Sequence, residues 1–270
     1  MSKGKGRSQS LFFNSLGSLF SFFFFVGRRS RKTRVFYVIS FLPVLMSLAI
    51  KFIHLSSGRS HIEGISVFSS MIMVFYLQFL ILILALFFGT SVCSEEIEGK
   101  TITYLTTRPI SKSAIILSKY MAYTFLVVLM TVVGLVLSFL ILNVDYLDEL
   151  ALYKILLKYM GVLLIGLICY SALFTFIGTF LKKSILFGLI FSFGWENVIQ
   201  YFPGSTQRLA IVHYLKSLLH VPTGGRFSFL LFRLEPTPPL VAVTTLFLLT
   251  VIFLGLACLI FSIKEYILED

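Results

Sequence analysis

Apolar residues fall in long unbroken runs along this chain, separated by short stretches that hold nearly all of the charge. A helix needs about 20 mostly apolar residues to cross the roughly 30 Å hydrocarbon core of a bilayer. Six runs meet or approach that length: residues 35–53, 66–92, 120–142, 159–181, 185–202 and 240–263. The fifth turns polar in its second half, at Trp195, Glu196, Asn197 and Gln200. The pattern predicts an all-α polytopic membrane protein with six transmembrane helices, residues 35–270 forming the membrane domain.

Ahead of these lies a shorter apolar stretch, residues 11–26, which includes Phe22 to Phe25 and is interrupted by Asn14, Ser15, Gly17, Ser18 and Ser21. Basic residues flank it on both sides, and no small-residue cleavage site follows, so it does not read as a signal peptide. The expectation is an N-terminal amphipathic interfacial helix, with Phe and Leu at the acyl boundary and the arginines at the headgroups. A seventh span is the competing reading. Residues 1–34 then form a basic cytoplasmic tail plus a connecting helix.

Composition supports the membrane reading: 57% of the 270 residues are hydrophobic and 13% charged, with a mean hydropathy of +0.95. Soluble domains carry about 25% charged residues, so there is too little polar material to coat a water-facing surface. The net charge of +11 does not argue for nucleic acid, because its location is a topology signal. Lys3, Lys5, Arg7, Arg28, Arg29, Arg31, Lys32 and Arg34 precede the first span with no acid among them. Such a cluster holds its flank in the cytoplasm and lies on anionic lipid headgroups, each charge adding about 1 kcal/mol near the surface. Lys100, Arg108, Lys112, Lys119, Lys182 and Lys183 place the next two alternate loops on the same side, so both termini are expected in the cytoplasm.

No phosphate-binding glycine loop, zinc-ligand spacing or Ser/His/Asp set occurs in the sequence. Cys93, Cys169 and Cys258 are far apart, and the four histidines are scattered, so neither a disulfide frame nor a metal site follows. The chain is expected to be a non-catalytic subunit that binds no cofactor of its own.

One stretch, residues 89–121, reads as a motif between spans two and three. Ser94 suits a helix N-cap, which would place Glu95, Glu96 and Glu98 in a first turn, where the helix dipole favours acids. Gly99 interrupts that turn, and Lys100 follows it. Thr101 to Thr107 suits a short helix or an extended piece that Arg108-Pro109 ends, since the residue before proline is pushed out of the α region. Ser111 caps the next helix, and Lys112 and Lys119 flank that helix at the membrane surface. On spacing alone this is also readable as a solvated loop with ordinary caps.

Glu96, Glu98, Gly99, Lys100, Leu105, Pro109, Ile110, Ser111, Lys112, Lys119 and Tyr120 together resemble the signature of ABC-2 type permeases. These are the membrane subunits of ABC exporters, in which this loop docks on the ATPase subunit. Trp195-Glu196, Phe202-Pro203-Gly204 and His213-Tyr214 look like the matching outer segment of six-span members, related to the permeases of nitrous-oxide-reductase maturation and sodium-efflux systems. Lys100 stands where Thr is common, and the basic, Phe-rich N-terminus is unusual for the group. The resemblance implies a partner ATPase subunit holding ATP and Mg, a second copy of this chain or a homologous permease, and a bacterial inner-membrane address. It also implies docking contacts from Glu95, Glu96, Glu98, Arg108 and Lys112.

Glu196 is the one acid inside an expected span, and an ionisable group at membrane depth is a functional candidate by default. It either caps the outer segment or pairs with Arg208, or it serves substrate passage and outer gating. Asn197 and Gln200 lie one and four positions on, so Gln200 shares its helical face and the spacing suits a polar seam with Glu196. Residues 203–239 hold a helix at 206–220 and then a run of Pro and Gly. That outer segment is too irregular to face lipid and is expected to re-enter and pack on protein. A membrane scaffold without a transport cycle, or an ion-coupled secondary transporter, are the alternative functions. The second is disfavoured by the near absence of ionisable residues in the spans.

Overall fold

Backbone amides in hydrocarbon must be satisfied within their own segment, and the chain meets that demand with helices throughout its described residues. The structure, a computed structural model, describes residues 3–56, 64–98, 112–146, 150–181, 183–199, 202, 205–219 and 237–263. The elements in chain order are α1 (Lys3–Arg29), α2 (Arg31–Ser40), α3 (Leu42–Ser56), α4 (Gly64–Met71) and α5 (Ile81–Glu98). After them come α6 (Lys112–Leu142), α7 (Leu150–Phe180), α8 (Ser184–Ile190), α9 (Asn197–Ile199), α10 (Ile211–Leu218) and α11 (Pro239–Ile263).

Five helical stretches are long and apolar enough to cross a membrane: Arg31–Ile53, Gly64–Ser94, Lys112–Leu142, Leu150–Phe180 and Pro239–Ile263. The chain is therefore a multi-pass membrane protein. The third and fourth begin several residues ahead of the apolar runs at 120 and 159, because Lys, Tyr and Ser continue a helix as readily as they end one. The expected fifth span, residues 185–202, is instead a shorter apolar helix, Ser184–Ile199, with a π-helical turn at Phe191–Glu196.

The first stretch is broken between α2 and α3. Pro43 has no N–H to give, and Val44 and Leu45 both bond back to Phe41. The carbonyl of Ser40 then lies against α6, where a Cβ on Gly134 would come within 2.8 Å of it, while Ser40 Oγ donates to Met130 O at 3.0 Å. At the far end Lys51 pairs with Asp145 at 3.2 Å, so α2–α3 and α6 run in parallel.

The centre of the bundle is the pairing of α5 with α7. A Cβ on Gly89 would sit 2.8 Å from Phe174 Cβ, and one on Gly178 would sit 2.9 Å from Thr90 O. Small residues let the two backbones approach, the main source of helix attraction where lipid tails are as apolar as leucine. Thr90 and Thr175 bond back one turn, to Leu86 O and Ser171 O, so these two hydroxyls need no external partner. Phe68, Phe139 and Tyr159 pack edge to face near the end where α7 begins, and Tyr159 donates to Ser69 Oγ at 2.6 Å.

α1 runs over 27 residues rather than the expected 16 or so, and it is not among the five spanning candidates. Its face packs on the first half of α6: Phe20 and Phe24 meet Phe125, and the buried Lys119 ammonium lies over the Phe23 and Tyr123 rings at 5.6 and 5.4 Å. Lys119 was expected at the membrane surface; a tyrosine and a phenylalanine cover it instead. A tight turn at Ser30 then leads into α2. The end of the bundle that holds this elbow also holds the tips of α5, α6 and α11, since Lys112 reaches Ser262 O at 3.4 Å.

Candidate functional site

The motif-like stretch divides at the edges of two spanning helices. Glu95, Glu96 and Glu98 belong to the last turn of α5, not to the first turn of a new helix. Ser94 does not end the preceding run, because glutamates are good helix formers and carry the helix onward. The acids therefore extend a spanning helix beyond its apolar part, at its negative end, where the dipole does not favour them. Lys112 opens α6, so the helix starts where the sequence reading places it. Gly99, Lys100, Arg108, Pro109 and Ser111 lie outside the described residues.

The second group of expected residues surrounds Glu196. The stretch Ser184–Ile199 starts at the elbow end and runs antiparallel to α5: Gly188 touches Leu86, and Phe193 meets the Phe79 ring. At its upper end Glu196 is fully buried, and Trp195 beside it is exposed. The Glu196 carboxyl accepts three hydrogen bonds: Ile211 N–H at 3.0 Å on Oε1, and Val212 N–H at 3.2 Å and Tyr170 O–H at 3.0 Å on Oε2. The first two donors are among the amides at the start of α10 that no helical carbonyl can serve. Glu196 thus caps α10 from a distance of 15 residues, at the positive end of that helix.

This cap decides the course of the chain. Ile211 starts at the level of Tyr170, midway along α7, and Leu215 packs on Gly166, one turn nearer to the end where α7 begins. Leucine and glycine fit there because a Cβ on Gly166 would come within 2.9 Å of Leu215 Cδ1. α10 leads away from the elbow end, and α11 returns to that end beside α7, with Phe253 against Phe176 at 5.9 Å. His213 Nε2 lies 2.9 Å from Thr237 Oγ1 and ties α10 to the start of α11.

The other expected members of the seam behave differently. Asn197 turns its amide back to Ser192 O at 3.0 Å. Gln200 lies outside the described residues. Tyr170, which the sequence reading overlooked, is the side chain that completes the site. The available signal was a tyrosine hydroxyl in mid-span, a group that must find an acceptor when buried.

The basic cluster lies on both sides of the elbow. Arg28 and Arg29 end α1, Arg31, Lys32 and Arg34 belong to α2, and all five are exposed. Among the described residues no group of His, Cys, Asp and Glu is placed to hold a metal ion. Cys93 and Cys169 are buried thiols, and Cys258 is half-buried.

A family model described as "ABC-2 family transporter protein" matches residues 29–195, more than half of the chain. The match starts in the basic elbow, takes in the first four spanning helices and stops one residue before Glu196. No curated protein matches the chain. With membrane-crossing helices, a motif between the second and third of them, and a family match across both, the chain belongs to the ABC-2 family of transporter proteins.

Proposed function

We propose that this chain is the transmembrane permease subunit of an ABC exporter, coupling ATP hydrolysis in a separate nucleotide-binding subunit to alternating-access export. The family match carries the reading, and the geometry of α5 and α6 supports it. Both helices continue from buried, tightly packed spans to tips at the same end of the bundle. A push on the segment between those tips tilts whole spans instead of bending a loop, the rigid-body transmission that a partner's closure requires.

On this reading Glu95, Glu96, Glu98, Gly99, Lys100, Arg108, Pro109, Ser111 and Lys112 form the docking segment, and its charges set the register in the partner's groove. ATP and Mg belong to that partner. Both termini are cytoplasmic, and the membrane is the bacterial inner membrane. The stretch Ser184–Ile199 and α10 together make the fifth of six crossings in chain order, split at Glu196, and the pathway closes only in a dimer of such subunits. Trp195, Glu196 and Asn197 lie at the split, and Glu196 acts as the positioning residue that holds α10 against α7.

The test is purification of the chain from its native membrane in mild detergent, with an ATPase assay of what accompanies it. Wild type is expected to bring down an ATPase that Glu96→Lys and Arg108→Glu lose. Recovery of the chain alone in every case overturns the proposal and favours a scaffold without a transport cycle.

A further inference from the structure

The elbow between α1 and α2 concentrates positive charge that the proposed docking segment does not include, and three of its arginines surround an open cavity. Five cations lie within residues 28–34, and the first acid of the sequence is Glu63. The turn itself is stiff. Ser30 N–H and Thr33 Oγ1 both donate to Gly27 O, at 3.2 and 2.6 Å, and a Cβ on Gly27 would come within 2.9 Å of the Tyr123 and Leu126 side chains. Arg28, Arg29 and Arg34 therefore stand on a backbone that has little freedom to move apart.

Those three guanidinium groups and Phe25 line an open cavity of about 560 Å³. A second, smaller cavity of about 260 Å³ at the same elbow is almost wholly apolar; its walls include Val35, Phe36, Phe87, Phe88 and Ile185, with Lys32 among its lining residues. A cluster of guanidinium forks suits the non-bridging oxygens of a phosphate, which arginine can hold through paired hydrogen bonds. A phenylalanine-lined groove suits an acyl chain. One molecule that offers both is a phospholipid, and the excess of cations selects an anionic one.

We infer that the elbow is a binding site for one anionic phospholipid, its phosphate on Arg28, Arg29 and Arg34 and an acyl chain along the groove of Val35, Phe36, Phe87, Phe88 and Ile185. A bound lipid there clamps α1 against α2, and through Phe88 and Tyr123 it touches α5 and α6. The inference goes beyond the permease reading and needs no ATPase partner, so the two stand or fall on different experiments.

The test is native mass spectrometry of the full chain in mild detergent, titrated with phosphatidylglycerol, with phosphatidylcholine, and separately with inorganic phosphate. Wild type is expected to retain one phosphatidylglycerol about tenfold more tightly than phosphatidylcholine, which corresponds to about 1.4 kcal/mol. The triple variant Arg28→Lys, Arg29→Lys, Arg34→Lys keeps every charge but loses the forks, and it is expected to lose most of that preference. Ile185→Trp, which fills the groove and leaves the arginines intact, is expected to weaken phosphatidylglycerol retention as well. If the lysine variant retains phosphatidylglycerol as wild type does, the cluster is only a diffuse surface charge and the inference fails. It fails equally if inorganic phosphate displaces the lipid, or if Ile185→Trp has no effect, since the site then takes a phosphate and no chain. Should the triple variant not fold, Arg34→Lys alone serves, with a loss of about threefold expected on the same scale.

Discussion

Replacing Glu196 by glutamine exchanges one carboxyl oxygen for an NH2 group at a site where all three neighbours donate. If the amide oxygen faces Val212 and Tyr170, the NH2 meets the N–H of Ile211. If it faces Ile211, the Tyr170 hydroxyl can rotate to accept, but the N–H of Val212 is then orphaned. Either way one buried backbone N–H loses its partner, at a cost of about 1–3 kcal/mol. Loss of the acceptor charge at the positive end of α10 adds up to about 2 kcal/mol in a buried geometry.

We expect Glu196→Gln to destabilise the packing of α10 by about 2–4 kcal/mol, Tyr170→Phe by about 1–2, and Glu196→Ala by more than about 4. Hydrogen exchange of the peptide spanning residues 205–219, measured in detergent, reads this as local opening. At 1.4 kcal/mol per decade, the glutamine variant should exchange about 30- to 700-fold faster than wild type there, with little change in α5 or α7. The result that refutes the reasoning is an unchanged rate in Glu196→Gln, or an alanine variant no faster than the glutamine one.

Two glycines of α7 give opposite expectations for one substitution. Gly178→Ala forces a Cβ against the Thr90 backbone and should cost about 1–3 kcal/mol, because a backbone cannot swing aside. Gly161→Ala has nothing within 4 Å and should stabilise the helix by about 0.5–1 kcal/mol. Thermal unfolding of both variants in the same detergent checks the sign of each. Lys51→Ala removes an ion pair whose Asp145 partner is largely exposed, so the midpoint of unfolding should move by less than the equivalent of about 1 kcal/mol.

The spans were legible in the sequence because a bilayer imposes one rule, about 20 apolar residues per crossing, and a run such as residues 240–263 obeys it without help from its neighbours. The motif-like stretch between the second and third spans stood out in the sequence for a different reason. Pro109 and Gly99 punctuate the chain locally, and the residues between the two spans carry a recognisable pattern. The helix that would start at Ser94 was a misreading of the same local signals, since a serine followed by acids caps a helix only where the previous helix has stopped.

What the sequence alone determined, then, is that this chain lies in a membrane, where five of its segments long enough to cross it lie, and that one polar stretch joins the second and third. Tertiary structure decided the rest, because those features depend on residues far apart in the chain. Only packing shows that Gly89 and Gly178 are the points where α5 and α7 touch, or that α1 lies on α6 with Lys119 covered. The fate of Glu196 is the clearest case. Its position in an apolar run marked it as exceptional, but its partners are a hydroxyl 26 residues before it and two amides 15 and 16 residues after it. No local pattern can announce them: the need of a buried carboxyl for donors is written in one residue, and the supply is brought by the fold.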